Sequence, residues 1–252
     1  MGDREAERVV AEAIGLGYRL IDTAHAYGNE SGVGRGIRAG GVAREELFLT
    51  TKLNAEWHGR REARDAFEMS AARLGLDHID LFLIHWPNPW LDRYADAFQG
   101  LVDLMEAGRV RAVGLSNFKP EHTQRVIDGT GVVPDVNQIE LNPRVTREGP
   151  RAFHAEHGIV TESWSPLGKG GDLLAEPTIT AIAARHERTP AQIILRWHIE
   201  LGLVPTPKSS SSERLAQNLA VFDFSLTPPE VGAISALDQG ESAAVDSDSY
   251  GH

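Results

Sequence analysis

The feature that most constrains this chain is an alternation. Short apolar runs are separated by longer stretches in which apolar residues recur every three or four positions. The short runs read as strands: YRLID (18–22), LFLTTK (47–52), IDLFLIH (79–85), VRAVGLS (110–116), VNQIE (136–140), IVTES (159–163) and LVPT (203–206). Between them lie ESGVGRGIRAG, REARDAFEMSAARLG, RYADAFQGLVDLMEAG, PEHTQRVIDGTG, GPRAFHAEHG and EPTITAIAARHERTPAQIILRWHIELG, each of helical period and most ending at Gly, a frequent helix stop.

Strand followed by helix, repeated without a break in composition, implies parallel strands joined by crossover helices. Such strands form either an open doubly wound sheet or a closed TIM-type (β/α)8 barrel. A dinucleotide-binding open sheet would carry G-x-G-x-x-G directly after its first strand. The nearest match, GVGRG at 32–36, has the wrong spacing and follows a polar cluster, so its glycines read as a loose helix start and the α/β barrel is favoured. A chain of 252 residues with 41% hydrophobic content suits one domain, expected over 1–240, with a mobile Ser/Asp-rich tail over 241–252.

A barrel gathers its functional side chains on one rim, at the C-terminal ends of the strands. Asp22, Lys52, His85, Ser116 with Asn117, Gln138 with Glu140, and Ser163 and Ser165 flanking Trp164 all occupy such ends. Taken singly each has a plain structural reading, since a lone His after an apolar strand or a Lys at a strand end is usually packing or solvated charge. The set is more specific: an acid, an imidazole, an amine and the phenol of Tyr27 on one rim. A tyrosine hydroxyl titrates near pH 10, and a neighbouring ammonium favours its phenolate and lowers that value. Lys52 beside Tyr27, Asp22 holding the Lys52 ammonium, and His85 bonding a substrate oxygen would suit protonation of an oxygen on which negative charge develops.

Composition closes other routes. A net charge of -11 argues against a nucleic-acid partner or an anionic membrane surface, and the absence of cysteine removes thiol nucleophiles and zinc–thiolate sites. The opening MGDREAER is charged where an export signal needs apolar residues, so a cytoplasmic protein is expected. HAEH at 154–157 reads as solvent-facing histidines and DSDSYG is shorter than a calcium loop, so no metal site is expected.

GYRLIDTAHAYGNE, TTKL, DLFLIHWPNP, VGLSNF, NQIELNP, SWSPLGKG and PTPKSSSSERLAQN, in that order, resemble the aldo-keto reductases, and most of all the bacterial branch that includes the 2,5-diketo-D-gluconate reductases. The resemblance implies NADPH-dependent reduction of an aldehyde or ketone, keto sugars and dicarbonyls among them, by a barrel enzyme. Its catalytic tetrad falls on Asp22, Tyr27, Lys52 and His85, with Tyr27 as general acid. Ser116, Asn117 and Gln138 match the positions that bind the nicotinamide carboxamide, and Trp164 the ring stacked on the nicotinamide. Ser165, Leu167 and Gly168 match the loop around the pyrophosphate, and Lys208, Ser209, Arg214 and Asn218 the adenosine end. Lys208 and Arg214 also have a physical rationale: two cations in an acidic chain favour a ribose 2′-phosphate over a hydroxyl. Gln217 stands where the family often has Glu. Trp57, Trp86 and Trp90 are candidate walls of the substrate pocket, rim packing being the alternative. A small carbonyl substrate and a monomer are expected; the competing reading is a non-catalytic nucleotide-binding relative.

Members of this family begin with a short hairpin and a first strand before the helix that opens here near Glu5. Met1 is therefore expected to be an internal methionine or the product of truncation. The chain is expected to form an open or strained seven-stranded barrel, less stable and less active than a form with roughly twenty to thirty further residues upstream, the length of a hairpin and a strand.

Overall fold

The computed structural model describes residues 1–251. Its strands are β1 (Leu20–Asp22), β2 (Phe48–Leu53), β3 (Ile79–Ile84), β4 (Val110–Ser116), β5 (Val136–Glu140), β6 (Val160–Trp164) and β7 (Val204–Thr206). All seven expected strands are present, with ends moved by two residues at most. They form one sheet in the order β1-β2-β3-β4-β5-β6-β7, with parallel pairing at β1–β2, β2–β3, β3–β4 and β6–β7. This sequential parallel order is that of a β/α barrel and not of a doubly wound sheet, whose order reverses at a switch point. Among the described residues there are seven strands of this sheet and no eighth.

The helices are α1 (Asp3–Leu16), α2 (Glu30–Ala39), α3 (Arg60–Leu74), α4 (Tyr94–Glu106), α5 (Pro120–Thr130), α6 (Glu148–His157), α7 (Pro177–His186), α8 (Pro190–Glu200), α9 (Ser212–Leu219) and α10 (Pro228–Ser235). The stretch expected as one helical segment after β6 is two helices. Pro190 has no N–H to donate and disfavours helical backbone at Thr189, so the chain restarts there, with the Thr189 side chain capping Gln192 N–H. None of the described helices is long and apolar enough to cross a membrane.

The glycines of GVGRG also differ from expectation. They lie inside α2 and give it a surface without side chains: a Cβ on Gly32 would sit 2.2 Å from the Asp3 carbonyl oxygen of α1, and one on Gly34 would sit 2.0 Å from that of Leu74 at the end of α3. The glycines therefore set close helix packing and are not a loose start.

The chain divides into two compact units, Met1–Asn137 with the segment from Ser247, and Gln138–Asp246. In the first, Val10, Ile14, Ile37, Leu49, Leu53, Phe67, Phe82, Ile84, Phe98 and Leu101 belong to one buried cluster, which α1 to α4 share with the outer faces of β2 and β3. Leu81 and Leu83 point to the other face of β3, where they pack with Val136. In the second unit Ile139, Ile179, Ile182, Ile193, Ile194 and Trp197 are the heart of the core. Of the tail expected to be mobile, Asp248 pairs with Lys119 and with His122. Tyr250 meets Trp86 edge-on, with ring centroids 4.8 Å apart. The last residue of that tail, His252, lies outside the described residues.

Candidate active site

Strand alternation explains why the expected residues meet. Successive side chains of a strand face opposite ways. Leu81 and Leu83 share the inner face of β3, and His85 follows two residues on. Lys52 is paired in register with Leu83 and Asp22 with Thr50, which places both on that inner face. An acid at the end of β1 and a lysine near the end of β2 are thus neighbours by register alone.

Lys52 is completely buried. Its Nζ donates to Asp22 Oδ1 at 2.7 Å, to Asp22 Oδ2 at 2.8 Å and to the Thr23 carbonyl at 2.9 Å. A buried ammonium is tolerable only with such compensation. The Tyr27 ring stands over it, its centroid 5.3 Å from Nζ, and the His85 ring meets Tyr27 edge-on at 5.8 Å. His85 is buried, with Nδ1 3.4 Å from Asn54 Oδ1; if Nδ1 carries the proton, it donates there. Asn117, in left-handed backbone at φ 66°, donates from Nδ2 to the His85 carbonyl and to Ser116 Oγ, both at 3.0 Å.

Tyr27 is 48% exposed, yet the protein packed around its hydroxyl raises its pKa by desolvation. Lys52 lowers it through charge and hydrogen bond, and the Asp22 charge raises it. The net direction is upward, so the lowering expected from Lys52 is present but outweighed. A phenol so placed keeps its proton at neutral pH.

The tryptophans expected in the site also belong to the first unit, in different surroundings. The Trp86 ring lies 6.5 Å from that of His85 and is itself buried, the Trp57 ring meets His25 edge-on at 6.1 Å, and Trp90 is 55% exposed. Ser116, Asn117, Trp57 and Trp86 are therefore gathered within the first unit with the four catalytic candidates.

In the second unit Gln138 is buried and donates from Nε2 to Glu162 Oε2 at 2.8 Å. Trp164 ends β6, and its ring lies 5.9 Å from Lys169 Nζ. Ser165 has φ 50° and Gly168 φ 60°, which makes this a tightly turned loop; Leu167 packs on the core beneath it. Past β7, Ser209 Oγ accepts from Ser211 N–H at 3.2 Å and lies 3.4 Å from Arg214 Nε. Asn218 is buried, whereas Lys208 and Arg214 are exposed.

One expectation is corrected. His154 does not face solvent: it is 1% exposed, with Nδ1 2.8 Å from Thr161 Oγ1, and burial lowers its pKa to about 4. His157 stacks on Phe153. Among the described residues no cluster of His, Asp or Glu could hold a metal ion.

Asn54 and Glu162 had no place in the sequence reading, and Thr23 stood there only within the polar stretch after the first strand. Thr23 directly follows Asp22 and Asn54 lies two places beyond Lys52, a positional signal that polar residues just past a strand end can contact the candidates. Glu162 gave no such signal, because nothing marks it as the partner of Gln138 before the fold is known.

The sequence profile of the aldo/keto reductase family matches residues 1–239. The chain belongs to the aldo/keto reductase family. Among its relatives is 2,5-diketo-D-gluconic acid reductase B of Corynebacterium sp. (strain SHS752001), 50% identical over 239 residues that cover 95% of this chain and 86% of that protein. Methylglyoxal reductase DkgA of Salmonella typhimurium is 46% identical over 251 residues, covering 99% and 90%. Among solved structures, that of a Gox0644 mutant in complex with NADPH is 44% identical, covers 99% of this chain and 91% of its own, and has a TM-score of 0.94.

Proposed function

We propose that this aldo/keto reductase reduces the carbonyl group of a small aldehyde, ketone, dicarbonyl or keto sugar to an alcohol with NADPH, and that Tyr27 is the proton donor. The observation that carries this reading is the buried Lys52, clamped by both Asp22 oxygens and the Thr23 carbonyl beneath the Tyr27 ring. Burying so much charge behind a half-exposed phenol has a desolvation cost, and such arrangements cluster where a group is polarised for chemistry.

The residues present suit the cofactor that the NADPH complex of Gox0644 contains. In the first unit buried Ser116 and Asn117 offer hydroxyl and amide groups of the kind that bind a carboxamide; in the second, buried Gln138 offers an amide of the same kind and Trp164 a ring face suited to a nicotinamide. Ser165, Leu167 and Gly168 form a turn for the pyrophosphate. Lys208 and Arg214 offer exposed positive charge to a 2′-phosphate, with Ser209 and Asn218 beside them. When bound, NADPH supplies the hydride. Tyr27 holds the proton at Oη and gives it to the carbonyl oxygen, Lys52 stabilises the phenolate left behind, Asp22 keeps Lys52 in place, and His85 orients the substrate oxygen. Trp57, Trp86 and Trp90 form the walls against which the substrate lies. In this reading the protein acts as a cytoplasmic monomer.

The test is NADPH oxidation, followed at 340 nm, over a panel of methylglyoxal, keto sugars and simple aldehydes. Turnover of at least one class is expected. Cofactor binding without turnover on any of them would reject the proposal in favour of a nucleotide-binding relative.

A further inference from the structure

Between β1 and α2 the chain runs from Thr23 to Asn29 with Tyr27 near its middle. The base of this excursion is closed by a buried bond from Thr23 Oγ1 to Asn29 Oδ1 at 2.9 Å, and Thr23 N–H donates to the Thr50 carbonyl at 2.9 Å. The next residue, Glu30, opens α2 and is 1% exposed. An acid favours a helix N-terminus, but it can do so from the surface; burying a carboxylate has a cost that calls for another reason.

Glu30 Oε1 accepts from Thr51 Oγ1 at 2.7 Å. Thr51 immediately precedes Lys52, so its side chain leaves β2 on the opposite face. Glu30 Oε2 is buried without a hydrogen bond, 3.5 Å from Arg73 Nε of α3. Arg73 Nη2 in turn meets His25 Nδ1 at 3.1 Å, and His25 begins the short 3-10 turn His25–Tyr27. One buried carboxylate therefore touches the strand that carries Lys52 directly, and the turn that carries Tyr27 through a single arginine.

We infer that Glu30 is a positioning residue for proton transfer: through Thr51 on one side and Arg73 with His25 on the other, it sets the Tyr27 hydroxyl against the Lys52 ammonium. This rests on the reading of Tyr27 as proton donor. Displacements well under the length of a bond are enough to slow a positioned reaction, and about 1 Å can cost on the order of a hundredfold.

The test uses the full chain with Thr51→Val, which keeps shape and removes the hydroxyl, Thr51→Ser, which restores it, and Glu30→Gln. Thr51→Val and Glu30→Gln are expected to lower kcat about tenfold or more, to leave the Kd for NADPH within about twofold, and to displace the pH limb of kcat/KM assigned to Tyr27. Thr51→Ser should restore both kcat and the limb. Parental kcat and pH profile in Thr51→Val, or activity in both variants that falls only with the folded fraction while the profile stays parental, would overturn the inference. Tyr27→Phe is measured beside them. If it loses turnover while Thr51→Val and Glu30→Gln match the parent, the positioning role alone has failed; if Tyr27→Phe keeps turnover, it is the proton-donor reading that has failed.

Discussion

Replacing Asp22 by Asn keeps the shape of the side chain and removes a carboxylate that accepts directly from Lys52 Nζ, at 2.7 and 2.8 Å. Lys52 is completely buried, so its charge cannot turn to water for compensation; the Thr23 carbonyl remains. Breaking a buried ion pair by removing one partner costs about 3–5 kcal/mol. The Asp22 side chain is 17% exposed, which moves the expectation to the lower end, about 3 kcal/mol. For a chain of this size each kcal/mol corresponds to about 2–4 °C in Tm, so Asp22→Asn should melt about 6–12 °C lower. It should also lose at least tenfold in kcat, because the ammonium beneath Tyr27 is no longer held by charge. Calorimetry with and without NADPH, beside steady-state NADPH oxidation, measures both. A variant that melts within about 2 °C of the parent and keeps kcat within about twofold would refute the pairing as an energetic element of the site.

Lys208→Ala and Arg214→Ala should each weaken NADPH binding far more than NADH binding, measured by quenching of protein fluorescence; equal weakening of both cofactors would remove the 2′-phosphate assignment. Gly34→Ala places a methyl 2.0 Å from the Leu74 carbonyl oxygen, so thermal unfolding should show a loss of about 1–3 kcal/mol or more, and an unchanged Tm would mean that α2 and α3 are not in fixed contact. Burial lowers the pKa of His58, His154 and His198 from 6.5 to about 4. The unfolded chain binds the extra protons in this window, so the stability these neutral imidazoles contribute is present above pH 6.5 and is lost as pH falls toward 4. Denaturant titrations should show stability falling across that interval with a slope approaching three protons, about 4 kcal/mol per pH unit at most; a flat profile would show that the three histidines titrate alike in both states.

Every strand was legible because parallel strands covered on both faces are short, almost continuous apolar runs, as IDLFLI shows. That Asp22 and Lys52 would meet was legible because both stand at the ends of neighbouring parallel strands, whereas the roles expected of them with Tyr27 and His85 came from the family resemblance and not from any one residue. What could not be read follows from tertiary packing. The net direction of the Tyr27 pKa depends on the atoms that surround its hydroxyl, and these outweigh Lys52. The inward turn of His154 depends on Thr161 of the adjacent strand. The glycines of α2 looked like weak helix formers until the carbonyls of Asp3 and Leu74 were seen against them. The contacts of Glu30 could not be read because its partners Thr51 and Arg73 are far from it along the chain.

If the Tyr27 hydroxyl delivers the proton to the carbonyl oxygen, turnover must depend on it. Tyr27→Phe removes that hydroxyl and leaves the ring over Lys52, so the measurement is kcat of the variant on a substrate the parent turns over, with the Kd for NADPH determined on the same preparation. A loss of about 10²–10⁴ in kcat with cofactor binding unchanged is expected, and a Tyr27→Phe enzyme that turns over at near the parental rate would rule out Tyr27 as the proton donor.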